Sequence, residues 1–347
     1  MSSILEIEAE KCLKKLKEKG IKYPCDWIPN LSTKPKWYNN ALFKRGEKLC
    51  QENLFGMFFS HLCGLYVLVH VPSILYPLLS TGKSKNVSCI FLRYRDTLIH
   101  VSKWYSGDIW ETDSEAQKSL NVVRKMHLMV SDRLNKNKIE GQDNFYLSQY
   151  DMCLTLFAFC GLVTLFPSSF GFFPTSDYDL KCVLHFWRCV GYLLGVKDEY
   201  NICNEQKLDE VKAYFNLILE KEMKHALIHE IRPESALMGD AIIESIRTFI
   251  PLLKTNGFKR YLFDILSVQS DDLDESMNWL NNFNYHLMNF HFKYGLSFPL
   301  VPSIFNKLLK MAINRTTIRE EKICIFLSKK AVTFERLSAA EFEQASS

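Results

Sequence analysis

The sequence predicts an all-α fold, built as a single large multi-helix domain, and three observations carry that expectation. Apolar residues recur at helical spacing, not in alternation, over most of the 347-residue chain. Glycine and proline are scarce, at 14 and 11 residues, too few for the frequent turns of a sandwich or barrel. Capping signals stand at segment starts, as in Thr112-x-x-Glu115 and Ser114-x-x-Gln117 ahead of an apolar-periodic run.

Taken in order, helices are expected at 2–19, 38–60, 63–79, 88–105, 114–134, 148–165, 177–194, 205–231, 233–253, 273–293 and 302–313. The first is charged and amphipathic and lacks the apolar core of a signal peptide. Pro233 and Pro302 suit a first helical turn, where the missing N–H costs nothing. Residues 87–101 are rich in β-branched side chains, so a strand is the competing expectation there. Residues 54–79 carry no formal charge and are long enough for a membrane span. They also contain His61, His70, Pro72 and Pro77, which favours burial inside a helical core. Peripheral or embedded membrane contact stays open beside that reading.

Composition excludes several classes. Hydrophobic residues at 47% and charged residues at 24% describe a globular chain. A net charge of +4 is too small to propose nucleic acid as a partner. The 11 cysteines are scattered, with no Cys-x-x-Cys pair, which argues against zinc ribbons and for free thiols in a reducing compartment. The expected location on these grounds is intracellular.

Three apparent motifs fail. Thr81-Gly82-Lys83-Ser84 ends like a phosphate-binding loop, but Pro77 stands where the first glycine belongs. Glu222-x-x-His225 is half of a di-iron site with no second half. His225 and His229 share a helix face, but their highly charged setting reads as a solvated surface.

Two segments combine polar chemistry with helical spacing. Arg93, Thr97, His100 and Trp104 fall on one stripe of the expected helix 88–105. His127 falls among Leu120, Val123, Val130 and Leu134 on the apolar stripe of the next helix, with Arg124 shortly before it. Taken alone, His127 reads as a hydrogen-bonded core histidine. Arg93 likewise reads as an ion-pair partner of Asp96 or Asp108.

Four features occur in order: Arg93-x-x-x-Thr97; Val123-Arg124-x-Met126-His127-x-x-Val130; Ser148-Gln149-Tyr150-Asp151-Met152; and Phe186-Trp187-Arg188-x-Val190-Gly191-Tyr192-Leu193-Leu194-Gly195-Val196. In order and spacing they resemble the catalytic-domain family of rubber oxygenase (latex-clearing protein) and the ER-bound oxygenase MpaB, over residues 49–203. The organisation that follows is an N-terminal helical extension (1–48), that core (49–203), C-terminal helices packed on it (204–338) and a disordered tail (339–347).

The resemblance implies a haem b-dependent oxygenase acting with O₂ on a long apolar substrate, isoprenoid or lipid-like. It implies His127 as the proximal iron ligand. Arg93 and Thr97 would line the pocket, Arg93 toward an oxygen ligand or a haem propionate, with Arg124 and His100 nearby. Two departures stand out: Asp96 replaces a lysine of the family, and residues 54–92 contain no acidic side chain. They support the alternative of a non-catalytic haem- or lipid-binding protein, or a membrane-associated scaffold, with the same fold.

Overall fold

Small polar side chains start many of the helices. In the computed structural model, residues 2–342 are described apart from 28, 30–32, 139–140, 174–175, 205–206, 231, 331 and 335–341. Asn39, Asn86, Ser114 and Asn278 each accept a hydrogen bond from a first-turn backbone N–H. Ser148 and Asp151 form a reciprocal capping box.

The order is α1 (Ser2–Glu18), α2 (Asn40–Glu52), α3 (Leu54–Leu68), α4 (Pro72–Ser80), α5 (Val87–Ser106), α6 (Glu115–Lys136), α7 (Gln149–Leu165) and α8 (Asp177–Leu193). Then come α9 (Leu208–Ile218), a π-helical stretch (Leu219–Lys224), α10 (His225–His229), α11 (Pro233–Ile246) and α12 (Thr255–Leu266). The last are α13 (Asp271–Glu275), α14 (Trp279–Lys293), α15 (Val301–Ile318) and α16 (Glu320–Ser328). Residues 87–101 lie within α5, and the described residues contain isolated β-bridges but no strand.

Several boundaries differ from expectation, each for a local reason. The helix expected at 38–60 breaks at Asn53, whose side chain donates to Leu49 O and closes α2. Pro72 begins α4 rather than continuing α3, and the two helices meet at 96°. The segment 273–293 divides because Asn278 caps a new helix. α12 and α16 had no expected counterpart; neither has a side-chain N-cap. The tail expected after residue 338 lies outside the described residues except for Phe342. Its ring is buried against Tyr76 and under the Arg232 guanidinium.

Two close approaches organise the interior. α2 packs on α8 and α3 packs on α7. At Gly46 a Cβ would collide with the Cys182 carbonyl, and at Gly64 with the Ala158 carbonyl. Backbones meet there with no side chain between them. α8 ends in a Schellman motif, with Val196 N–H bonded to Gly191 O, Gly195 N–H to Tyr192 O, and Gly195 at φ +99°. α1 lies on α9, α11 and α16 flank α5, and α15 lies on α3.

The uncharged run 54–79 is enclosed by protein. Phe59 meets Phe292 of α14 at 4.3 Å between centroids, and His61 lies under Phe159 and Trp187. Its two histidines are satisfied: His61 Nε2 lies 3.1 Å from Tyr105 Oη and His70 Nδ1 lies 2.9 Å from Tyr66 O. No single described helix is long and apolar enough to cross a membrane.

Gly64→Ala should lower unfolding stability by about 1–3 kcal/mol or more, since a methyl group has no room against α7. Urea denaturation followed by circular dichroism reads this out; an unchanged midpoint means the helices do not approach so closely.

Candidate functional site

α5 and α6 are antiparallel neighbours joined by a short connection. Ser119 of α6 ties their near ends. Its Oγ accepts from Trp104 Nε1 at 3.1 Å and lies 2.7 Å from His100 Nδ1. His100 is thereby occupied as a clamp between the helices.

At the far end of the pair stand Arg93 and His127. Arg93 Nη1 donates to Ser84 Oγ at 2.7 Å and to Leu78 O at 3.3 Å. Neither expected carboxylate reaches it. Asp96 is bound by Arg95 at 2.8 Å, and Asp108 by Lys44 at 3.3 Å. Among the described residues no acid pairs with Arg93, and burial pushes its pKa down. The failed phosphate-loop segment thus supplies Ser84, buried, as an acceptor for this cation.

His127 Nδ1 is buried with no hydrogen-bond partner. Burial, and second the positive charge of Arg93, push its pKa down to about 4. The imidazole is therefore neutral at pH 7, the form that binds metals. His61 and His70 each have a hydrogen-bond partner, whereas His127, like His291, keeps a buried ring nitrogen without one.

Thr97 Oγ1 donates back to Arg93 O at 3.0 Å, and the residue borders an apolar cavity between α3 and α5. The cavity is narrow, with a volume of about 40 Å³ for the centre of a water-sized sphere. Phe58, Leu62, Leu98, Phe159 and Leu309 line it, with His61 and Thr97 among its few polar residues.

The structure corrects two expectations. One pocket shared by His127, Arg93 and Thr97 was expected, but this cavity lies across α5, on the α3 side, and of the three only Thr97 borders it. Tyr94, Leu98 and Val101 form an apolar face of α5 toward α3, whereas Arg93, His100 and Trp104 turn polar groups toward α6 and its surroundings. Arg124 also leaves the site: its Nη2 donates to Trp27 O at 2.7 Å, anchoring the N-terminal segment.

The other matched segments hold the frame. Gln149 amide groups bond Gly195 O, Pro24 O and Lys197 N, and Tyr150 donates to Glu222. Glu222 is buried and also pairs with Lys17, so it is engaged structurally, while His225 and His229 are exposed. The position overlooked in the sequence is the pair His61 and Tyr105. The only signal was a histidine in an uncharged run, and its partner comes from 44 residues away.

The donor set suits a group that brings its own ligand frame. Among the described residues no cluster of three His, Cys, Asp or Glu side chains can hold an ion. A lone neutral imidazole with an unpaired nitrogen, near an unpaired guanidinium, fits a metallated macrocycle bearing acidic groups.

The comparisons define the class. Residues 52–263 match the model of the family "ER-bound oxygenase mpaB/B'/Rubber oxygenase, catalytic domain". The chain belongs to that family of oxygenases, and the match runs past the four motifs into α12. Among solved structures, the latex clearing protein in its closed state is similar, with a TM-score of 0.50 and 17% identity over 97% of this chain and 92% of that one. At that identity the likeness shows the fold. No curated protein matches the chain.

In an NMR titration the His127 ring should stay neutral at pH 6 and protonate near pH 4. Arg93→Leu should raise that midpoint only part of the way to the ordinary 6.5, because burial is the larger cause. A midpoint near 6.5 in the unsubstituted protein means the ring is solvated.

Proposed function

We propose that this protein is a haem b-dependent oxygenase using O₂ on a long apolar substrate, isoprenoid or lipid-like. The observation that carries the reading is the His127 imidazole, neutral and with a buried Nδ1 lacking any partner, beside an Arg93 that no acid neutralises.

His127 is the iron ligand in this reading, and bound haem would supply the oxygen chemistry. Arg93 holds a positive charge that would hydrogen-bond an oxygen ligand or the acidic groups of the macrocycle. Its bonds to Ser84 and Leu78 keep the guanidinium in place. Thr97 sets a hydroxyl at the edge of the apolar cavity, whose Phe and Leu walls suit a hydrocarbon chain and exclude water. Family membership supports an oxygenase with an apolar substrate.

A second reading, a non-catalytic haem or lipid binder of this fold, is favoured by one observation. Asp96, at the position of the family lysine, is bound by Arg95 and offers no second ligand.

The visible spectrum of the purified full-length protein, reconstituted with haem, tests both. A Soret band is expected, lost in His127→Ala and largely kept in Arg93→Ala, which should lose oxygen uptake with polyisoprenoid or unsaturated lipid by at least about tenfold. A spectrum without a Soret band overturns both haem readings. Haem retained without oxygen uptake selects the binder. Unchanged haem in His127→Ala removes the ligand role from that residue.

A further inference from the structure

α14, α15 and α16 carry an apolar surface that nothing in the described structure covers. On α14 the exposed side chains Trp279, Phe283, Leu287, Phe290 and Tyr294 form one stripe, and Trp279 is 79% exposed. On α15 the stripe is Leu300, Ile304, Leu308, Met311 and Ile318, with Leu300 and Ile318 each 75% exposed. Phe298 joins the two at their junction, and Ile325 and Phe326 extend the surface onto α16. Both long helices are anchored beneath by one ring, Phe55, which packs on Phe292 of α14 and Phe305 of α15. Scattered exposed hydrophobes are ordinary; adjoining helical stripes are not.

Charge identifies the occupant. Residues 279–330 hold eight basic and two acidic side chains, a local charge of +6 in a chain whose total is +4. The remainder of the molecule is thus slightly acidic. Of the eight, Lys330 pairs with Glu244, and one of the two acids, Glu320, is consumed by Arg95. Lys293, Lys307, Lys310, Arg315, Arg319, Lys322 and Lys329 are exposed and hold no ion pair among the described residues. A second copy of this chain on the same surface would bring like charges together. A bilayer with anionic headgroups accepts both components: hydrophobic side chains enter the headgroup boundary while the lysines and arginines meet phosphate. Trp279 and Tyr294 are residue types favoured at that depth.

We propose that α14–α16 form a docking surface for an anionic phospholipid membrane, on which the protein lies without crossing it. The inner faces of both helices are committed to the core through Met288, Phe292 and Leu309, and the helices meet at 118°. They therefore lie along the boundary. The proposal is independent of the oxygenase reading and does not involve haem.

Flotation of the full-length protein with phosphatidylcholine vesicles, with and without phosphatidylserine, tests it. Binding is expected only with phosphatidylserine at about 0.1 M salt, and release at about 1 M salt. Lys307→Gln with Lys310→Gln should weaken binding roughly thirtyfold. Phe290→Ser with Leu300→Ser should abolish it, with helical circular dichroism unchanged because all four residues are exposed. Equal binding to neutral vesicles, or no binding, overturns the proposal. So does retention through alkaline carbonate, which marks an embedded segment. So does a salt-resistant dimer in sedimentation that Phe290→Ser with Leu300→Ser dissociates, which marks a second copy as the occupant.

Discussion

The backbone contact between α3 and α7 at Gly64 is the constraint on which the rest of the interior depends. With no side chain between them, Gly64 and the Ala158 carbonyl bring two apolar helices closer than leucine-faced helices approach. His61, one turn before Gly64, is thereby pressed under Phe159 and Trp187 and meets Tyr105 of α5. That hydrogen bond fixes α5 against α3 at one end. Further along, Tyr94, Leu98 and Val101 leave a gap, and the apolar cavity lies there. Gly46 acts the same way between α2 and α8. Gly56 does so against the Phe170 carbonyl, and aromatic rings fill much of the space between.

Arg93 and His127 form a local conflict in the interior. Burial disfavours charge on both, and the Arg93 charge further disfavours protonation of His127. A buried nitrogen without a partner costs roughly 1–3 kcal/mol. Ser84 and Leu78 O relieve Arg93 in part, but nothing relieves His127 Nδ1. His185, also held neutral by burial, shows the ordinary solution, since its Nε2 accepts from the Asn39 backbone. The two groups at the α5–α6 end are arranged as though for a third component, which is why they carry the functional reading.

α15 contributes to both the cavity and the exposed apolar stripe. Its inner face places Leu309 at the wall of the cavity, and its outer face carries the basic apolar stripe. α16 is held to α5 beside the candidate site by the ion pair between Arg95 and Glu320. Arg95, nearly buried, also holds Asp96.

By itself the sequence determined the helical class, because apolar periodicity and capping residues act within a few turns of their own position. Its four ordered motifs also determined the family, and α5 and α6 were legible as neighbouring helices, because a short connection makes adjacent helices pair. The tertiary structure decided what each polar side chain meets. Arg124 turned to Trp27, His100 to Ser119, Asp96 to its neighbour Arg95, and the cavity opened on the α3 side of α5. Those choices depend on partners as far as 97 residues away, as between Arg124 and Trp27. Periodicity places a residue on a face of its helix; only packing determines which other helix that face meets.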